Sequence, residues 1–242
     1  MIPIKDNVPG QNTPWVTWLL IFLNLLVFRY QSSLPQEELM ALVYQFGLIP
    51  MNVSQALSDG LSSQTLPLAT PLVSSLFLHG SWFHLISNMW SLWLFGDNVE
   101  DSVGHFRFIL FYLAGGAAAS LIHFLFNPLS TLPTIGASGA IAAVMGAYLI
   151  MFPLARIVTL VPLFFIPLFF EFPALIFIGF WFISQVFSGV STLLISGADG
   201  GIAWWAHIGG FIFGVLIIPL IRKKRWQYHC FYEDGHYHCQ SD

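Results

Sequence analysis

Six stretches of this chain approach the ~20 consecutive apolar residues that a helix needs to cross a bilayer: Trp15 to Tyr30, Trp82 to Phe95, Phe106 to Phe126, Ile135 to Phe152, Phe172 to Val190 and Ile202 to Ile221. No other feature restricts the fold as strongly. In hydrocarbon every backbone polar group must be satisfied within the protein, which leaves helices and closed barrels as the spanning structures. The overall balance agrees: 56% of residues are hydrophobic, 8% are charged and the mean hydropathy is +0.74, far from a soluble composition. The expected fold is all-α, a polytopic membrane bundle of six transmembrane helices over residues 1–221, followed by a polar tail at 222–242.

The count depends on Ile157 to Phe187, which is too long for one helix and contains Pro162 and Pro167 near its start. Prolines there favour a broken interfacial lead-in followed by a single span. Charge supports the same count. With six spans both termini are cytoplasmic, and Lys5, Arg107, Arg156 and the run Arg222, Lys223, Lys224, Arg225 all fall inside, leaving Arg29 outside. An odd crossing would expel the basic run, against the positive-inside rule. The net charge of -4 comes without the basic patch that phosphate backbones require, so nucleic acid is not an expected partner. The N-terminal MIPIKDNVPGQNTP lacks the order of a cleavable signal peptide and the Arg-rich amphipathic pattern of a transit sequence. The first span is therefore expected to be retained, and a bacterial plasma (inner) membrane is the simplest address.

Residues 31–80 form a long outer-side connection, apolar enough to pack on or dip into the membrane; a loop of this length is usually functional. The tail contains both cysteines, with His229, Cys230, His236, His238 and Cys239 in one short run. Cys230, His236, His238 and Cys239 could ligate a borderline metal, but their spacing matches no standard paired knuckle, and a disordered His-rich tail is the plainer reading. A disulfide between Cys230 and Cys239 is disfavoured on a reducing side of the membrane.

Four polar residues sit where the second, fourth and sixth stretches enter the membrane from the outer side: His84, Asn88, Ser138 and His207. Such groups are costly in hydrocarbon without partners, and by default they mark function. Singly, each has a structural explanation: a serine bonds its own helix, a histidine or an asparagine bridges two helices. Together they make a chemistry. Ser138, Ala142 and Gly146 give the fourth stretch one small-residue face, and His207, Gly210 and Gly214 do the same for the sixth. Gly136 and Gly139 flank the serine and add to this close packing. Small faces let membrane helices approach backbone to backbone, which would bring the Ser138 hydroxyl to the His207 imidazole as nucleophile and base.

A third, orienting carboxylate is not apparent; Glu171 and Asp199 are the nearest acids, and neither is a strong choice. His84 and Asn88, spaced i and i+4, project from one face of the second stretch and are candidates for an oxyanion hole together with the backbone N–H of Ser138. His79 is expected to brace the outer loop and His123 to make a helix-end contact, while Trp82, Trp90, Trp93, Trp204 and Trp205 read as interfacial or packing aromatics.

Three segments, HGSWFHLISNMWSLWLFGDNVED (79–101), GASGAIAAVMGAY (136–148) and AHIGGFIFG (206–214), resemble the signature segments of rhomboid intramembrane serine proteases, and the resemblance extends from residue 1 to about residue 221. It implies Ser138 as nucleophile, His207 as base, and His84 and Asn88 as oxyanion support. It also implies a substrate that is a single-span membrane protein, cut near the outer membrane boundary, with no metal or organic cofactor. Position 142 departs from some members, which place an aromatic there against the catalytic imidazole; Ala142 leaves open how His207 is oriented. Two other functions fit these residues less well. A non-catalytic rhomboid-like protein that binds membrane clients would usually have lost Ser138 or His207, and a proton-coupled transporter would need paired intramembrane carboxylates and an inverted repeat.

Overall fold

The computed structural model describes residues 2–59, 69–163, 166–194, 202–223, 228–233 and 236–241. In chain order its elements are β1 (Ile2–Asp6), α1 (Trp15–Gln31), α2 (Gln36–Phe46), α3 (Pro50–Ser58), α4 (Ala69–Ser74), a 3-10 turn (Ser75–Phe77), α5 (Trp82–Val103), α6 (His105–Phe126), α7 (Ser138–Met151), β2 (Arg156–Leu163), β3 (Ile166–Pro173), α8 (Ala174–Leu194), α9 (Trp204–Ile221), β4 (Tyr228–Glu233) and β5 (His236–Ser241). Each apolar stretch has become a helix. By length and composition α6, α8 and α9 are able to cross a membrane, and α1 and α7 are shorter apolar helices.

The chain is mostly helical, as expected, and the all-α description is corrected only by the strands, chiefly a three-stranded antiparallel sheet, β1-β2-β3. The segment expected to form a broken interfacial lead-in is instead a hairpin in which Pro162 pairs with Pro167 and Arg156 with Pro173. Its sequence, RIVTLVPL against IPLFFEFP, is rich in β-branched and aromatic residues that suit a pleated surface. The two prolines lie opposite one another, one pair from the Leu163–Ile166 end of the ladder, where a missing N–H costs least. On the other side of β2 lies the N-terminal strand, with Ile2 opposite Leu160 and Asp6 opposite Ile157. The long outer connection likewise contains α2, α3 and α4 rather than an irregular loop, and Leu48 bridges to Thr134 just ahead of α7.

α5 continues well past Phe95, to Val103, and buries Glu100 and Asp101 in its last turns. These carboxylates are satisfied by backbone N–H groups and, at Glu100, also by the side chains of Thr17 and His105. Glu100 accepts from the N–H groups of Val16 and Thr17 at 2.9 and 2.8 Å and from the Thr17 hydroxyl at 2.7 Å, and so caps the first turn of α1 where orphan donors and the helix dipole favour an anion. Asp101 accepts from Gln11 and Asn12 N–H at 2.7 and 3.0 Å.

α7 is the centre of the molecule: every residue from Gly139 to Tyr148 is buried, and its most extensive partner is α9, followed by α6. Small residues make this possible. A Cβ on Gly210 would fall 2.0 Å from the Gly139 carbonyl oxygen, one on Gly214 2.0 Å from that of Ala143, and one on Gly146 2.4 Å from that of Phe211. The pairing of small faces is thus as expected in kind, with a rotated register. Gly210 meets Gly139, and Gly214 meets Ala143, rather than the Ser138–Ala142 edge. In the tail, β4 and β5 form an antiparallel hairpin with Cys230 opposite Cys239, in place of a disordered segment; the side chains of the metal candidates Cys230, His236, His238 and Cys239 lie outside the described residues.

Candidate active site

Ser138 is the first residue of α7, not a residue one turn into a span, and the chain reaches it through Gly136 at φ 123°. That φ is strained for any residue with a side chain. It is enforced here by space as well, since a Cβ at Gly136 would fall 2.7 Å from the His84 ring. Gly136 is therefore a turn and a seat for His84, a correction to its expected role in helix packing. The N–H of Gly136 donates to the Ser75 carbonyl at 2.9 Å, anchoring the turn to the outer connection. As the opening residue of a helix, Ser138 sits among first-turn N–H groups that have no intrahelical acceptor, the ready donors of a helix N-terminus.

His207 lies in the first turn of α9. Its Nε2 is 2.8 Å from Ser138 Oγ, and both residues are partly buried. The close passage of Gly139 and Gly210 is what brings the two helix starts to this distance. Ala142 is small and fully buried, and the imidazole is flanked by Trp181 of α8, tilted 34° with ring centroids 6.0 Å apart, and by Trp204, edge-on at 6.2 Å. The other ring nitrogen, Nδ1, is 2.7 Å from Gln185 Oε1 on α8.

Asn88 is buried on α5, and its Nδ2 is 2.9 Å from His79 Nε2. His79 in turn is held by Gln31 at the end of α1: its N–H donates to Gln31 Oε1 at 3.1 Å, and its carbonyl accepts from Gln31 Nε2 at 3.3 Å. Burial, with His84 close by, pushes the His79 imidazole down to about 4, so the ring is neutral at physiological pH and accepts from the Asn88 amide. The brace expected of His79 is present, and it extends to Asn88. His84 receives the Gly80 N–H at Nδ1 at 3.5 Å and packs edge-on against His79.

These groups face one cavity of about 880 Å³, lined among others by His84, Asn88, Ser138, Gln185 and His207. His123 also lines it near the end of α6, where its carbonyl accepts from Asn127 Nδ2 at 3.0 Å, in keeping with the helix-end contact expected of it. Glu171 is an exposed residue of β3, and Asp199 lies outside the described residues. Among the described residues no group of three or more His, Cys, Asp or Glu side chains is placed to hold a metal ion. Sequence reasoning missed Gln185, a single amide in an apolar helix; its position one turn after Trp181 on the stretch before the His207 helix was the available signal.

A family model described as the rhomboid domain matches residues 68–224. The chain belongs to the rhomboid family. This rhomboid is a multi-pass membrane protein, and it is similar to the mitochondrial presenilin-associated rhomboid-like protein of Mus musculus, with 27% identity over 168 residues, 66% of this chain and 40% of the mouse protein. It is also similar to the mitochondrial rhomboid protein 1 of Saccharomyces cerevisiae, with 30% identity over 164 residues, 64% of this chain and 43% of the yeast protein. The rhomboid protease GluP of Bacillus subtilis shares 44% identity over 82 residues, 34% of this chain and 15% of that protein. The matched regions thus span less than half of each relative.

Proposed function

We propose that this rhomboid is an intramembrane serine endopeptidase that hydrolyses a peptide bond of a single-span transmembrane protein through an acyl-enzyme on Ser138. The observation that carries the reading is the 2.8 Å approach of His207 Nε2 to Ser138 Oγ on the wall of the cavity that His84 and Asn88 also line. His207 takes the hydroxyl proton as Oγ attacks the scissile carbonyl carbon. The resulting oxyanion is met by the Asn88 amide, by His84 and by the N–H of Ser138. Collapse breaks the C–N bond, and the amine leaves with the proton held by His207. Water, deprotonated by the same imidazole, then hydrolyses the ester and returns Ser138 to its hydroxyl form. The residues at hand supply every proton transfer.

The short α7 explains how such a site is recessed. Its 14 residues measure about 21 Å at ~1.5 Å per residue, against a hydrocarbon layer of about 30 Å. With its C-terminal end at the inner boundary, Ser138 sits below the outer one, reached by water through the cavity. In this reading α1, α5, α6, α8 and α9 cross the membrane with the shorter α7 enclosed among them as the sixth span, both termini are cytoplasmic, and a bacterial plasma membrane is the proposed address. The substrate helix must unwind locally, because a helical carbonyl is bonded and shielded, so helix-breaking or small residues near its outer boundary are favoured.

The test is labelling of the detergent-solubilised protein with a serine-directed fluorophosphonate, in parallel with Ser138→Ala and His207→Ala. Labelling of the parent that is lost in both variants is expected; equal labelling of parent and Ser138→Ala overturns the assignment.

A further inference from the structure

Gln185 is 5% exposed on a helix made mostly of apolar residues, where a polar amide is tolerated only with both ends paired. Both ends are. Its Nε2 donates to the Trp181 carbonyl at 3.3 Å and to Ser184 Oγ at 3.0 Å. The Ser184 hydroxyl spends its own proton on the Trp181 carbonyl at 2.6 Å, which leaves its lone pairs free to accept from the amide. With the N–H₂ end committed to these oxygens, Oε1 is turned outward to His207 Nδ1 at 2.7 Å.

An amide oxygen has no proton to give. The 2.7 Å contact therefore requires the proton to be on His207 Nδ1, and a neutral imidazole with Nδ1–H has a bare Nε2, the atom that faces Ser138 Oγ at 2.8 Å. The chain Ser184, Gln185, His207, Ser138 thus fixes the tautomer and the ring plane from α8. Ala142 of α7 is too small to hold the ring.

We propose that Gln185 is the positioning residue of this active site, a neutral acceptor at the place where a carboxylate completes the triads of soluble serine hydrolases. This rests on the dyad reading above. The amide orients the base as a carboxylate would. It adds no formal charge to a buried place, which would otherwise need a partner of opposite sign, and it gives up charge stabilisation of the imidazolium that forms during attack.

The experiment pairs turnover with a readout independent of it. Gln185→Met keeps length and apolar volume and removes the acceptor; Gln185→Glu restores an acceptor. In detergent, with a reporter single-span substrate, Gln185→Met is expected to lower kcat on the order of 10²-fold with KM changed less than about twofold, as befits an interaction that acts on the base rather than on ground-state binding. Gln185→Glu is expected to recover turnover above Gln185→Met. Histidine ¹⁵N NMR of the same samples, with His207→Ala identifying the resonances, is expected to show His207 protonated at Nδ1 in the parent and mixed tautomers in Gln185→Met. An unchanged kcat in Gln185→Met, or a His207 tautomer that is protonated at Nε2 in the parent or insensitive to residue 185, overturns the proposal. A parent that holds the Nδ1–H tautomer through Gln185 yet shows no Ser138-dependent cleavage overturns the protease reading instead.

Discussion

At the scale of single residues, the side chains proposed to react were legible as a group, because polar groups in apolar stretches are costly without partners. Ser138, His207, His84 and Asn88 are polar groups at the starts of apolar stretches, and all four face one cavity. Gln185 and the full role of His79 were not legible. Their meaning depends on which way an amide or a ring nitrogen points, and that is set by contacts between α8 and α9 and between α1 and α5, not by neighbours in sequence. Two expectations belong here. Ser138→Ala and His207→Ala each abolish cleavage of a reporter substrate while the melting temperature in detergent stays near the parent's; substantial cleavage by purified Ser138→Ala would falsify the nucleophile. Asn88→Ala lowers kcat by about 10²-fold to 10³-fold, the cost of one oxyanion donor elsewhere, with KM little changed. An unaltered kcat in that variant removes Asn88 from the mechanism and leaves its bond to His79 as a purely structural one.

At the scale of elements, periodicity and length located the apolar helices, and the small residues foretold the closest helix pair. What they could not supply was register. The face Ser138, Ala142, Gly146 was expected to meet Gly210; Gly146 does pack on α9, at Phe211, but Gly210 and Gly214 meet Gly139 and Ala143, one residue on from Ser138 and Ala142. A 3.6-residue repeat places neighbouring positions only about 100° apart on the helix, too little for sequence to separate them when all are small. The β2–β3 hairpin was missed for a related reason: a strand pair apolar on both faces reads as one long apolar run. The corrected register makes the consequence of crowding sharper. A Cβ at Gly210 already collides with the Gly139 carbonyl at 2.0 Å, so Gly210→Val must separate α7 from α9 next to the dyad. A shift of about 1 Å at a reacting centre costs on the order of 10²-fold in rate, and overpacking costs about 1–3 kcal/mol of stability. Turnover and thermal unfolding measured in the same detergent check both numbers, and parental turnover in Gly210→Val is incompatible with this packing.

At the scale of the whole molecule, the beginning of the chain is stitched to α7, the helix that opens at Ser138. β1 closes the sheet against β2, and Asp6 at its end accepts from the Tyr148 hydroxyl on α7 and from Asn98 Nδ2 on α5 at 2.9 Å. Asp97 is a second carboxyl close by. Burial pushes Asp6 up from 3.8 to about 6, in spite of the opposing hydrogen bond from Tyr148. The sign follows from linkage. A carboxyl that titrates higher in the folded protein than in the unfolded chain binds its proton more tightly when folded, so its favourable contribution is complete below about pH 3.8 and is lost as pH rises through about 6. Acidification from pH 7 towards 4 should therefore strengthen this clasp, opposite to the behaviour of an ordinary ion-paired aspartate. The difference in unfolding free energy between the parent and Asp6→Asn cancels the groups that Asp6 does not touch and reports Asp6 together with its coupling to Asp97. The parent is expected to gain on the variant as pH falls from 7 to 4, by up to about 3 kcal/mol, at 1.36 kcal/mol for each pKa unit. A difference that is flat across this range, or that moves in the variant's favour on acidification, would mean that Asp6 is not held as a buried, proton-seeking group between α5 and α7.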